Sequence, residues 1–154
     1  MKLTRVSKDQ FSLQLGGREK SLLLELLRLY PRVPSNYLAV SKMRNLPDSN
    51  TSQKLLDDAL AEQRADNKRQ LQALMDNPGR WSENQSGFQL ALSATEIDWL
   101  LQVLNDIRIG SWLILGSPEE RFEVVNPETA PHLWAMETAG LFQMYLLHAL
   151  QSAG

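Results

Sequence analysis

The chain has 154 residues, 43% of them apolar, which is enough for one compact core and too many for a disordered chain. It holds no cysteine, which excludes disulfides, thiolate catalysis and cysteine-ligated metals, and its net charge of −2 argues against a dedicated nucleic-acid binder. The N-terminus Met-Lys-Leu-Thr-Arg-Val-Ser-Lys lacks the apolar stretch of a signal peptide, and no run approaches the roughly 18 residues of a membrane span, so a cytoplasmic protein is expected.

Lys2 to Val6 alternates around Leu3, and after Ser7-Lys8-Asp9-Gln10 the residues Phe11, Leu13 and Leu15 share one face: a predicted hairpin. Two strands alone are barely stable, so Phe88 to Leu92 is the predicted third. Gly16-Gly17 leads into a helix over about 18–29, which Tyr30-Pro31-Arg32-Val33-Pro34 stops, because proline cannot continue the ladder and pushes its predecessor out of the helical region. A short helix capped by Ser35 and carrying Tyr37, Leu38 and Met43 is predicted next, closing near Pro47. The longest helix is predicted over 51–76, apolar at both ends (Leu55, Leu56, Ala59, Leu60; Leu71, Leu74, Met75) and polar from Glu62 to Gln70. That middle is read as solvated rather than packed on a polar surface.

Asn77-Pro78-Gly79 is a stop, and 80–87 reads as a linker between halves. Ser93 with Glu96 three residues later is a capping box for a helix through Ile97, Leu100, Leu101, Leu104, Ile107 and Trp112 that ends near Gly116. An acidic loop follows, and a last helix begins near Thr129, apolar on most sides, as expected of a central or interfacial helix. The expected fold is mainly α: one domain of about five helices with a small antiparallel or mixed sheet of two to three short strands.

Two features cut across this order. Phe11 to Leu27 superimposes on Phe88 to Leu104 without a gap, matching Phe11 to Phe88, Leu13 to Leu90, Leu15 to Leu92 and Glu19 to Glu96, which suggests a pseudo-repeat of halves 1–77 and 78–154. Charge is also divided: residues 1–80 hold 14 Lys plus Arg against 9 Asp plus Glu, whereas 81–154 hold 2 against 9. Such polarity can join the halves, orient self-association or steer an acidic partner to one end, although charges that only solvate separate helix faces give the same split.

Few residues suggest chemistry. Glu19 and Glu96 each stand in a first helical turn, where capping explains them better than a catalytic pair. Gly16-Gly17 lacks the lysine and spacing of a phosphate loop, and His132 and His148, the only histidines, have no metal-ligand spacing, so neither a cofactor nor a metal is expected. Trp81, Trp99, Trp112 and Trp134 read as core rather than base-stacking surface. Counted at about 100° per residue, Arg108 falls on the stripe with Ile97, Leu101 and Leu104, and Glu137 shares a sector with Trp134, Leu141, Met144, Tyr145 and His148. Arg108 is thus expected inside, paired with Glu137, with Asn105 and Asp106 a turn away and His148 further along. An internal ion pair that docks two helices is one reading of this cluster; a guanidinium pocket for a carboxylate or phosphate is the other.

The strand ending Leu13-x-Leu15 followed by Glu19, the stretch Leu60-Ala-Glu62-Gln-Arg64, and above all Leu92-Ser93-x-x-Glu96-x-x-x-Leu100-Leu101-x-x-Leu104-Asn105-Asp106-x-Arg108 resemble the bacterial family catalogued as domain of unknown function 2017. The resemblance spans nearly the whole chain. It implies no established activity; members encoded beside the adaptor of the Clp protease suggest protein quality control. The expectation is a non-enzymatic interaction or regulatory module, with a protein partner or a homodimer through the last helix. The alternative is a small-molecule or anion binder, or an enzyme, built on Asn105, Asp106, Arg108, Glu137 and His148.

Overall fold

The computed structural model describes residues 1–34, 49–119 and 126–152. Strand β1 (Lys2–Ser7) and strand β2 (Gln10–Leu15) form a hairpin that leads into helix α1 (Gly17–Leu27). Helix α2 (Ser49–Asp76) and a single 3-10 turn (Pro78–Arg80) bring the chain back. A second hairpin, β3 (Trp81–Asn84) and β4 (Gly87–Ser93), leads into helix α3 (Ala94–Ile114), and helix α4 (Ala130–Ser152) completes the described fold. The predicted short helix capped by Ser35 lies outside the described residues.

The fold is α+β, which corrects the expectation of a mainly α class with two to three short strands: four helices stand among the described residues, beside a four-stranded antiparallel sheet in the order β1-β2-β4-β3, so an all-α class does not hold. The missed strand is β3, which occupies the segment read as a linker. Its sequence, Trp81-Ser-Glu-Asn84, buries only part of Trp81 and exposes the rest, so it has no alternation to read. What makes it a strand is its pairing with β4 across the turn at Gly87, where Asn84 Oδ1 accepts from Ser86 N at 2.9 Å. Gly87 has φ +125°, and a Cβ there would collide with the Leu15 carbonyl oxygen and lie 3.1 Å from Gly16 Cα, so only glycine suits both turn and close approach.

The order strand-strand-helix thus occurs twice, and the sheet joins the two occurrences through β2 and β4. Leu13 pairs with Leu90, Phe11 with Leu92, and Leu15 with Phe88. The residue aligned with Leu13 in the sequence match is therefore its own cross-strand neighbour, as a local twofold through that pair requires. Leu3, Phe11, Leu13, Leu15, Leu90 and Leu92 are buried on one face. The intervening Ser12, Gln14, Gln89 and Ala91 pair on the other, and among the described residues the helices cover only the first face. Over the covered face lie Leu23, Leu26 and Leu27 of α1, Leu100, Leu104 and Ile107 of α3, and Ala135, Ala139, Phe142 and Leu146 of α4.

Both strand-to-helix junctions use a glutamate at the third helical position. Glu96 Oε1 accepts from Ser93 N at 2.9 Å while Ser93 Oγ accepts from Glu96 N at 3.1 Å, and Glu19 Oε1 accepts from Gly16 N at 2.9 Å. Removing the Ser93 hydroxyl by Ser93→Ala is expected to cost about 1 kcal/mol in urea denaturation. Burial opposes ionisation of Glu96, but the Arg80 guanidinium and the Ser93 donors outweigh it and hold the carboxyl below its ordinary range. A lowered carboxyl stabilises the fold above the ordinary glutamate range and loses that contribution as the pH falls through the lowered value. Glu96→Gln is therefore expected to flatten the acid limb of a stability-against-pH curve, and an unchanged limb would show that Arg80 and the cap do not matter to it.

Candidate functional site

The candidate residues do not form one cluster. On α3 the buried residues are Ile97, Trp99, Leu100, Val103, Leu104, Ile107, Gly110 and Ser111. At about 100° per residue, Arg108 lies about 100° from the middle of that arc, and Asp106 lies about as far on its other side. The stripe from which Arg108 was read as buried, Ile97-Leu101-Leu104, is one margin of a wider apolar arc. Arg108 is accordingly exposed, which corrects the expectation of an internal Arg108–Glu137 pair.

Arg108 instead donates to two amide oxygens, Gln143 Oε1 at 3.1 Å and Asn105 Oδ1 at 2.9 Å. Its side chain passes beside Gly140 of α4, with Cδ 3.7 Å from where a Cβ would stand, an ordinary contact distance. Glu137 and His148 are exposed on α4, and neither side chain has an ion-pair or hydrogen-bond partner among the described residues. Of the predicted set, then, Asn105 and Arg108 meet, His148 lines a groove with Arg108, Glu137 stands apart, and Asp106 belongs elsewhere.

Asp106 anchors a network that sequence reasoning missed. After α1 the chain crosses α3 at Gly110, and Arg32 N and Val33 N donate to Asp106 Oδ1 at 2.7 and 3.3 Å. Arg64 of α2 lies 3.9 Å from the other carboxylate oxygen. Burial pushes the Asp106 carboxyl above its ordinary range, with the two backbone donors and Arg64 pulling the other way. The Arg32 guanidinium donates to Ser111 Oγ at 3.0 Å and meets His132 Nδ1 at 3.1 Å. Arginine can only donate, so Nδ1 accepts and the ring proton stands on Nε2. Burial lowers the pKa of that guanidinium.

Asn67, in the middle of α2, accepts from Trp99 Nε1 at 3.0 Å and donates to Tyr30 Oη at 3.1 Å. The polar middle of α2 is therefore not solvated throughout, as expected, but rests through Arg64 and Asn67 on polar groups of the same chain. Asn67→Ala would leave the Trp99 indole N–H without its acceptor and is expected to cost about 1–3 kcal/mol, checked by chemical denaturation. Among the described residues every buried side-chain polar atom has a partner, and the network ties the segment after α1 to α2, α3 and α4.

The other distinctive surface is the outward face of α4. Ala135, Ala139, Phe142 and Leu146 point to the core, while Leu141, Met144, Tyr145 and Leu147 are each at least half exposed, at 52, 57, 53 and 50%. Counted around the helix, Glu137, Leu141, Met144 and His148 fall within about 60° of one another, nearly opposite the buried residues. Beside them runs a groove of about 510 Å³ lined by Arg108, Gly140, Gln143, Met144, Leu147, His148 and Gln151. A second hollow of about 410 Å³, bordered by Lys2, Leu3, Tyr145, His148 and Ala149, lies between α4 and β1.

The molecule is thus a one-sided α+β layer built on two hairpins, with an apolar helix face turned away from its own core. No family model, curated protein or solved structure matches the chain. Among the described residues no helix is long and apolar enough to cross a membrane.

Proposed function

We propose that the protein is a non-enzymatic interaction module whose docking surface is the outward face of α4. One observation carries this reading: four large apolar side chains, Leu141, Met144, Tyr145 and Leu147, stand at least half exposed within two turns of a well-packed helix. Single exposed apolar residues are ordinary, whereas a contiguous set on a rigid element marks a contact surface. The anion-binding alternative draws less support, because Arg108 is exposed and engaged by two amide oxygens rather than held in a closed pocket. The family resemblance read in the sequence points the same way, towards a cytoplasmic partner protein in quality control.

A photoreactive amino acid placed at Leu141 in living cells is expected to give a discrete protein adduct, and one placed at the exposed Gln102 of α3 none. Absence of adducts at Leu141 and Met144 would remove the proposal. Leu141→Asp is expected to abolish the adducts formed from Met144 while leaving the circular dichroism spectrum unchanged.

A further inference from the structure

Building on that reading, we infer that the occupant of this face is a second copy of the chain, lying antiparallel across α4 so that Glu137 of each copy meets His148 of the other. The face is not uniform. Its first half carries Glu137, an exposed carboxylate with no partner among the described residues. Its second half carries His148, which lines one groove with Arg108 and the neighbouring hollow with Lys2. The acid is therefore at one end of the stripe and the imidazole at the other, with the Arg108 guanidinium against the middle at Gln143.

A parallel copy would set like against like. An antiparallel copy about a twofold axis between Leu141 and Met144 pairs Leu141 with Met144 twice and brings Glu137 opposite His148 twice, in the groove that Arg108 lines. All four positions lie within the same 60° of the helix, so the apolar contacts and the charged ones form in a single docking. Such an interface is self-complementary, as a twofold dimer requires. Each carboxylate that is unpartnered in one copy is answered in the next by the groove that the Arg108 guanidinium lines, which gives the arrangement its orientation as well as its attraction.

The absence of cysteine makes the test clean. Glu137 lies about 16 Å along the helix axis from His148, and in the antiparallel dimer it lies about as far from the other copy's Glu137. A disulfide needs Cα atoms within about 7 Å. Glu137→Cys and His148→Cys chains, mixed and oxidised, are therefore expected to form a disulfide-linked dimer on the order of 100-fold faster than either variant alone, because docking raises the local thiol concentration. Both positions are exposed, so neither change should disturb folding; circular dichroism checks this.

A wild-type monomer in sedimentation at all accessible concentrations would overturn the inference. So would a dimer in which the mixed pair links no faster than the single variants, since that contradicts the antiparallel register. The two proposals fail separately. An adduct at Leu141 with the mass of a different protein leaves the docking surface standing and removes the second copy, whereas no adduct at all removes both.

Discussion

Gly110→Ala is expected to destabilise the fold by about 3 kcal/mol, read as a lowered urea midpoint, although alanine is the better helix former by about 1 kcal/mol. Gly110 is fully surrounded on α3, where the chain leaving α1 crosses it. A Cβ at this position would stand 2.5 Å from the carbonyl carbon of Arg32 and 2.8 Å from Val33 N. Backbone atoms cannot swing aside as a side-chain tip can, so the whole crossing segment would have to lift. Lifting it also stretches the hydrogen bonds from Arg32 N and Val33 N to Asp106, and the contact of the Arg32 guanidinium with Ser111 and His132. Steric overlap and lost polar contacts therefore act together. A Gly110→Ala protein more stable than wild type would mean that helix propensity outweighs the crossing, and that the segment is not held against α3.

The second large effect is expected at Asp106. Asp106→Ala removes the acceptor for two backbone donors and the partner of Arg64, and should cost about 3 kcal/mol. Asp106→Asn keeps an oxygen in place to accept from Arg32 and Val33 and is expected to stay within about 1 kcal/mol of wild type. The two variants also differ with pH. Burial raises the Asp106 carboxyl, opposed by the Arg32 and Val33 donors and by Arg64. A raised carboxyl favours folding most when protonated: its contribution is whole below the ordinary aspartate range and is lost as the pH rises through the raised folded value. Asparagine is neutral throughout, so Asp106→Asn should gain on wild type across that window. A constant difference between the two proteins from acid to neutral pH would show that the carboxylate is not desolvated. The direction is opposite to that expected for Glu96, so the two single variants change the stability-against-pH curve in opposite senses.

Some of this architecture was legible from residue patterns, and some was not. Phe11-x-Leu13-x-Leu15 and Leu90-x-Leu92 alternate because one face of the sheet is covered and the other is not, so the inner strands could be read. Ser93 with Glu96 is a local motif, complete within one turn, and forms the expected reciprocal bonds. β3 has no such signature, since an edge strand of four residues with three exposed side chains is held by its neighbour rather than by its own pattern. Arg108 was misplaced because a helix buried over a broad arc offers several apolar stripes, and periodicity does not say which one is central.

The network around Asp106 was hidden for a different reason. Arg32, the Arg64–Asn67 turn of α2, Trp99 and His132 are far apart along the chain and meet only where four elements converge. Tyr30-Pro31-Arg32-Val33 could be read as a helix stop, but nothing in it shows that its backbone amides would need a distant carboxylate. By itself the amino-acid sequence determined the short-range facts: which strands alternate, where helices begin, that two segments repeat one plan, and that the last helix is apolar on most sides. Tertiary packing alone decided that Asp106 turns inward and Arg108 outward, that the segment read as a linker is a strand, and that among the described residues one face of α4 keeps its large apolar side chains exposed. Local order depends on neighbours within a turn or a pleat, whereas burial depends on which other surface arrives, and that is a property of the whole chain.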